Sequence, residues 1–135
     1  MPTSKKILLV EDETFIADIY ARELSKAGFQ VKVAKDGTTG LKTLEEEKFD
    51  LLLLDIMLPG IHGLELLRQW KLKHPDDTMP ILLLTNLGQE EVIKEAFTLG
   101  ARGYLIKASY TPKQIVDEIV NAISNKPIAP PAPSA

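Results

Sequence analysis

Short apolar runs alternate with longer segments of helical periodicity along this chain, and few folds accommodate that order. The runs are Ile7–Val10, Phe29–Ala34, Leu51–Leu54, Pro80–Thr85 and Gly103–Ile106. Leu51–Leu54 is apolar throughout, as expected for a strand that both faces of a parallel sheet bury, whereas Phe29–Ala34 alternates like an edge strand. The alternation of strands and helices therefore predicts an α/β fold, a doubly wound parallel sheet with five strands and five helices.

The helical segments lie between and after these runs, at about residues 15–27, 38–48, 64–73, 90–99 and 112–124. Their predicted apolar stripes consist of Phe15, Ile16, Ile19, Tyr20 and Leu24; Leu41 and Leu44; Leu64, Leu67 and Trp70; and Ile115, Ile119 and Ile123. Gly28 and Gly100 suit helix ends, and Pro112 suits a first helical turn.

The composition excludes several classes of function but does not identify one. The chain has 135 residues and a net charge of −3, enough for one domain and without the basic surface of a nucleic-acid-binding protein. It has no cysteine, which excludes disulfides and thiolate chemistry. The apolar run after Met1 is too short for a signal peptide or membrane helix, so we expect a cytoplasmic protein without membrane contact.

The last residues differ in composition from the rest. Residues 125–135 contain Pro127, Pro130, Pro131 and Pro133 among alanine and serine, which favours an extended tail or an interdomain linker. We therefore predict one domain over residues 1–124, followed by this tail.

Polar residues stand where the predicted strands end. Glu11 and Asp12 end the first strand, Asp55 the third and Thr85 the fourth, and Lys107 follows the fifth. The carboxyl ends of parallel strands share one edge of the sheet, and ligands of doubly wound folds bind in the crevice there. The five side chains should therefore converge.

Carboxylates that converge repel one another, and a hard divalent cation with oxygen ligands relieves that repulsion. Mg²⁺ fits, because one or two carboxylates commonly hold it together with water and phosphate oxygens. Asp55 could then attack a phosphoryl group while Lys107 and Thr85 contact its oxygens, which is most of what phosphoryl transfer requires.

Several stretches, taken in order, resemble the receiver domains of two-component response regulators. They are Ile7–Glu13, Leu54–Gly60 with Gly63, Leu83–Thr85 and Gly100–Lys107, and the likeness extends over about residues 5–124. The resemblance implies a flavodoxin-like sheet of strand order 2-1-3-4-5.

The same resemblance assigns a role to each residue of the cluster. Asp55 matches the phosphoacceptor, Glu11 and Asp12 match the acidic pair that holds Mg²⁺, and the main-chain carbonyl of Met57 matches a further metal ligand. In addition, Thr85 matches the switch hydroxyl, Tyr104 the aromatic residue coupled to it, and Lys107 the ammonium group of the site.

What the resemblance implies for function is a signalling switch rather than an enzyme with a separate substrate. A sensor histidine kinase, a phosphotransfer protein or a small acyl phosphate would phosphorylate Asp55. The modified protein would change the face made by its fourth helix, fifth strand and fifth helix, which would then dimerise or contact a target or output domain.

This sequence departs from the family pattern at several positions. Ala108 follows Lys107 where many relatives have a cis proline, so we expect a trans bond, and Lys107 could be aimed differently. Asn86 follows Thr85 where a small residue is usual, and its side chain could crowd the phosphoryl group. His62 replaces an aspartate common in that loop.

Two further positions bear on how long the phosphoryl group stays. Met57 and Leu87 stand two residues after Asp55 and Thr85, where the family tunes hydrolysis, and neither can orient an attacking water molecule. We therefore expect a long-lived phosphoryl-aspartate.

Simpler roles remain open for individual residues. Glu11 and Asp12 could cap the first helix, and Tyr104 could be a packing residue at the sheet edge. His62 and His74 lack paired metal-binding spacing and are expected at the surface, and Trp70 is expected to pack between helix and sheet.

Two other functions are also open. A Mg²⁺-dependent phosphatase with a nucleophilic aspartate would need an acid at the position of Met57. A phosphorylation-independent interaction module with a relict acidic pocket is disfavoured by the complete residue set, but Asn86 and Ala108 keep it open.

Overall fold

The strands and helices alternate strictly, as the sequence predicts, in a computed structural model that describes residues 5–86 and 90–123. The strands are β1 (Lys6–Val10), β2 (Gln30–Ala34), β3 (Leu51–Asp55), β4 (Ile81–Thr85) and β5 (Gly103–Ile106). The helices are α1 (Thr14–Lys26), α2 (Gly37–Glu46), α3 (Gly63–Lys73), α4 (Glu90–Thr98) and α5 (Pro112–Ile123), and a 3₁₀ turn spans Lys107–Ser109. Leu87 and the predicted tail at 125–135 lie outside the described residues.

All five strands are parallel, in the order β2-β1-β3-β4-β5, which confirms the predicted topology. β3, the leucine-rich run, is the middle strand and is buried along its whole length. Val10 pairs with Leu54 and Asp55 with Leu84, so the carboxyl ends of the inner strands are level. This register places the residues that follow each strand side by side.

The helices cover both faces of the sheet, because alternate strand residues point to opposite sides. Leu8, Val10, Leu52 and Leu54 point to the face that α2, α3 and α4 cover. Ile7, Leu9, Leu51 and Leu53 point to the face that α1 and α5 cover. The inner strands therefore have two apolar faces, which explains their uniform composition.

Helix ends follow the predicted signals. Asp36 caps α2 by accepting a hydrogen bond from the Thr39 amide at 2.7 Å, and α2 therefore begins at Gly37, one residue earlier than expected. Before α5, Thr111 and Gln114 bond each other's backbone amides in a reciprocal capping box. Gly28 and Gly100 follow α1 and α4 with φ of +99° and +104°, in the left-handed region that glycine tolerates.

One predicted core residue is at the surface. Phe15 is 77% exposed, whereas Ala17, Tyr20 and Leu24 form the buried side of α1. At about 100° per residue, a position two before Ala17 lies on the far side of the helix. Ile16 and Ile19 lie between these sides and are half-buried.

The prediction for Trp70 is confirmed, since its ring is in the core on the side of α2, α3 and α4. It also stacks on His74, with ring centres 3.9 Å apart, and its indole nitrogen donates to Asp77 at 3.1 Å. None of the helices in the described ranges is long and apolar enough to cross a membrane.

A pair of leucine truncations tests this core. Leu53 in β3 is fully buried, and Leu72 in α3 is 82% exposed. We expect Leu53→Ala to lower the free energy of unfolding by about 2–5 kcal/mol, because it leaves a cavity. Leu72→Ala should change it by no more than about 0.5 kcal/mol. Urea denaturation followed by circular dichroism measures both, and equal losses would contradict the assignment of β3 to the centre of the sheet.

Candidate functional site

Three predicted carboxylates meet at the carboxyl edge of the sheet. One carboxylate oxygen each from Glu11, Asp12 and Asp55 lies within 4.8 Å of the other two. Glu11 is fully buried and Asp55 is 4% exposed, whereas Asp12 is open to solvent. The site is therefore a pair of buried carboxylates with a third at its mouth.

The backbone holds these residues as extensions of the sheet. The Glu11 amide donates to the Ala34 carbonyl at 3.0 Å, which continues the pairing of β1 with β2. The Ile56 amide donates to the Leu84 carbonyl at 3.1 Å, which extends β3 in the same way. Because β1 and β3 are paired with Val10 opposite Leu54, the next residues, Glu11 and Asp55, lie side by side.

Lys107 bridges the two buried acids. Its Nζ lies 2.7 Å from Glu11 Oε1 and 2.9 Å from Asp55 Oδ2, and its side chain is 14% exposed. The bond to Ala108 is trans, as expected. With Ala108 after it, the ammonium group of Lys107 still lies within the carboxylate cluster.

Burial and charge act in opposite directions here. Burial raises the pKa of Glu11; the hydrogen bond from Lys107 opposes that change, but the nearby charge of Asp55 adds to it. Burial tends to lower the pKa of Lys107, but its hydrogen bonds to Glu11 and Asp55 outweigh burial and the net shift is upward. Lys107 is therefore an ammonium ion at neutral pH.

The remaining oxygens of the buried pair bind backbone amides. Asp55 Oδ1 accepts from the Met57 amide at 3.1 Å, and Glu11 Oε2 accepts from the Glu13 amide at 3.2 Å. Both carboxylates are therefore held at two points. The Met57 side chain is 51% exposed, while its backbone is fixed to Asp55.

Thr85 and Tyr104 lie on the two strands beyond Asp55. Thr85 is 1% exposed, and its hydroxyl donates to the Asn86 carbonyl at 3.0 Å rather than to the acidic cluster. Tyr104 is half-buried and meets Phe97 of α4 edge to face, with centroids 6.2 Å apart. The Asn86 side chain is exposed. The switch roles of Thr85 and Tyr104 stay predictions.

Gly63 belongs to the site in a way that its sequence alone does not reveal. Its amide donates to the Ile56 carbonyl at 3.1 Å. A methyl group on Gly63 would lie 2.8 Å from Ile56 Cα and 2.9 Å from the Asp55 carbonyl oxygen, too close for any side chain. The sequence shows that Gly63 matches a glycine of the receiver-domain pattern. It does not show that α3 begins directly against the backbone of Asp55.

Neither histidine belongs to the cluster, and both are partly exposed, in agreement with the expected surface positions. His62 precedes α3, and His74 stacks on Trp70 with its Nε2 3.3 Å from Glu45. Within residues 5–86 and 90–123, the acidic cluster is the only group of three or more side chains that could hold a metal ion. Its ligands are all carboxylate oxygens, which suit a hard divalent cation.

Comparison with known proteins agrees with this geometry. The sequence model of the response regulator receiver domain matches residues 7–120. The regulatory protein VanRc of Enterococcus gallinarum is 37% identical over 116 residues, which are 86% of this chain and 48% of that protein. The alkaline phosphatase synthesis transcriptional regulatory protein PhoP of Bacillus subtilis is 35% identical over 129 residues, 96% of this chain and 52% of that protein. This chain thus spans about half the length of these two relatives.

Solved structures give the same result. The CheY-like response regulator receiver domain protein from Methanospirillum hungatei JF-1 superposes with a TM-score of 0.83 at 30% identity, over 91% of this chain and 96% of that one. The chemotaxis response regulator CheY4 of Vibrio cholerae superposes with a TM-score of 0.81 at 28% identity, over 89% of this chain and 99% of that one.

The role of Lys107 can be tested by stability alone. In metal-free buffer, Lys107→Met should lower the free energy of unfolding by about 3–5 kcal/mol, because two buried carboxylates lose their counter-charge. Lys113→Met, at an exposed position of α5, should change it by at most about 0.5 kcal/mol. Adding Glu11→Gln to Lys107→Met should restore part of the loss. Urea unfolding with a chelator present measures all three, and equal stability of the two single variants would refute the bridging role.

Proposed function

The chain belongs to the response regulator receiver domain family, and we propose that it is a phosphorylation-dependent switch in which Asp55 accepts the phosphoryl group. One observation carries this proposal. The Asp55 carboxylate is nearly buried, yet it is held by the Lys107 ammonium at 2.9 Å and the Met57 amide at 3.1 Å beside two further carboxylates. Such an arrangement fixes a nucleophile next to a cation that can receive phosphoryl oxygens.

We assign the metal of this site as Mg²⁺. Glu11, Asp12, Asp55 and the main-chain carbonyl of Met57 would hold it, since three of them supply the clustered oxygens and Met57 is bonded to Asp55. When bound, the cation would offset the charge of the carboxylates and of the incoming phosphoryl oxygens.

The chemical step needs no co-reactant beyond the donor. An Asp55 oxygen forms a bond to phosphorus, and the bond from phosphorus to the donor's leaving group breaks. With acetyl phosphate the leaving group departs as acetate and takes the electron pair, so no proton transfer is required. Lys107, which already donates a hydrogen bond to Asp55, would contact a phosphoryl oxygen and neutralise part of its charge.

The response would pass through Thr85 and Tyr104. The Thr85 hydroxyl would exchange its bond to the Asn86 carbonyl for one to the phosphoryl group. Tyr104 stands beside Leu83 of the neighbouring strand and contacts Phe97 of α4, so it links that movement to the surface. The affected face is made by α4, β5 and α5, where Phe97 is 41% and Val120 42% exposed.

Partners follow from this chemistry. We propose a sensor histidine kinase or phosphotransfer protein as donor, and a second copy, target or output domain on the α4-β5-α5 face.

In the same proposal the receiver unit occupies residues 1–124, and residues 125–135 are a tail or linker. Phosphohistidine and acyl phosphate donors are intracellular, so the proposal includes a cytoplasmic location for this protein. The domain would catalyse only its own phosphorylation and dephosphorylation.

Intact-mass spectrometry with acetyl phosphate tests the chemistry. The wild-type chain should gain one phosphoryl group in the presence of Mg²⁺ and none after chelation, and Asp55→Asn should gain none. Asp76→Asn is a matched control, since Asp76 is exposed in the loop before β4, at the opposite edge of the sheet. It should be modified like the wild type.

Two results would oppose the proposal. No gain in the wild type would favour a phosphorylation-independent interaction module with a relict acidic pocket. An equal gain in Asp55→Asn would place the modification elsewhere.

The lifetime of the phosphorylated state provides a second test. Met57 is exposed beside Asp55 and has only a weakly polar sulfur, so it cannot hold a water molecule for attack. We expect the wild-type phosphoryl group to persist for minutes or longer with Mg²⁺ present. Met57→Asn should shorten its half-life by about tenfold or more, because an amide can orient water, whereas Met57→Leu should not. Loss from the wild type within seconds would disprove the expectation.

A further inference from the structure

The first residue of α2 lies against the loop that joins β3 to α3. This loop, residues 56–62, is called here the site loop, because it begins directly after Asp55 and contains Met57. The Gly37 amide donates to the Pro59 carbonyl at 3.5 Å. A methyl group on Gly37 would overlap the Ile61 carbonyl oxygen and lie 2.8 Å from the Ile61 carbonyl carbon. Only glycine leaves room for this contact between backbones.

The first turn of α2 is itself held by a cap and by close packing, so it can limit how the site loop is placed. Asp36 accepts hydrogen bonds from the amide and the hydroxyl of Thr39 at 2.7 and 3.1 Å. One turn later, a methyl group on Gly40 would lie 3.0 Å from Val10 and 3.3 Å from Leu66, so the helix packs closely on β1 and α3. Its first turn therefore has little freedom to move away from the sheet.

The two ends of the site loop are held by different elements. At its β3 end, the loop is held by Gly63 of α3, whose amide donates to the Ile56 carbonyl and which packs on the carbonyl of Asp55. In the second half of the loop, Gly37 of α2 contacts Pro59 and Ile61. Met57 lies between these supports, and its amide bonds Asp55 Oδ1. The position of the Met57 backbone relative to Asp55 thus depends on α2 as well as on its own neighbours.

We propose that Gly37 is a positioning residue for the phosphoacceptor site, acting through the site loop on the backbone of Met57. The inference rests on the proposed function, because the Met57 backbone matters to activity only if its carbonyl binds the metal as proposed. The contacts of Gly37 given above are with Pro59 and Ile61, and not with a carboxylate of the cluster. The three atoms nearest to a methyl group at Gly37 all belong to Ile61, so substitution displaces the loop first.

The experiment compares two glycine-to-alanine variants of the full chain. Gly37→Ala should raise the dissociation constant for Mg²⁺ by about tenfold or more, as for other residues that orient metal ligands. Gly28→Ala is the control, because its φ of +99° strains any side chain while no atom lies within 4 Å of the added methyl. It should reduce stability without changing the Mg²⁺ affinity.

Three measurements separate positioning from folding. Calorimetric titration with MgCl₂ gives the affinity, thermal unfolding gives the stability, and the amide resonance of Met57 reports the loop without any metal. Gly37→Ala should weaken Mg²⁺ binding and shift the Met57 resonance, and Gly28→Ala should do neither. If Gly37→Ala lowers stability alone, the inference is overturned while the proposed function stands. If the wild type binds no Mg²⁺, the proposed function falls, and this inference with it.

A second pair of variants applies if Gly37→Ala does not fold. Asp36→Ala removes the cap of α2 and should loosen its first turn, whereas Asp36→Asn keeps a capping oxygen. Asp36→Ala should bind Mg²⁺ severalfold more weakly than Asp36→Asn, which should resemble the wild type. Equal affinities in this pair would overturn the inference.

Discussion

The contact of one ammonium group with two buried carboxylates is the interaction on which the site depends. Glu11 and Asp55 are brought together by the pairing of β1 and β3, and without a counter-charge their repulsion in a poorly solvated place would oppose folding. Lys107 supplies that charge from the turn directly after β5, the strand on the far side of β4. Because β5 pairs with β4 and with neither β1 nor β3, this bridge also connects the edge of the sheet to its centre.

The apolar core makes this concentration of charge tolerable. Each inner strand buries side chains on both faces, in two clusters that α2, α3 and α4 cover on one side and α1 and α5 on the other. That burial is the main stabilising contribution of the fold. The acidic residues of the site lie at one edge of the sheet, where Asp12 is the member of the cluster that is exposed to solvent. Stability and reactivity therefore reside in different parts of the same strands.

The sequence predicts whatever depends on periodicity and strand ends. Apolar runs locate the strands, and the residues after Val10 and Leu54 indicate the acidic cluster, since parallel strands end together. The sequence does not determine which side of α1 is buried at its first turn, and Phe15, predicted on the apolar stripe, is exposed. Nor can it give the Thr85 hydroxyl its partner, because a rotamer depends on the local carbonyl of Asn86. The contact of Gly37 with Ile61 joins the start of α2 to the site loop, and no local sequence pattern relates these two segments.

The engaged state of Thr85 also indicates how strongly phosphorylation could bias the switch. Its hydroxyl now donates to a neutral carbonyl, a bond with a net value of about 0.5–1.5 kcal/mol. A bond to a charged phosphoryl oxygen has a net value of about 1.5–3 kcal/mol. The exchange would favour the activated state by about 1–2 kcal/mol, or roughly tenfold in population. If the resting state is favoured about a hundredfold, this exchange alone would leave most molecules in that state. Under the proposed function, Lys107 would then also have to bind the phosphoryl group more strongly than it binds Asp55 in the resting state.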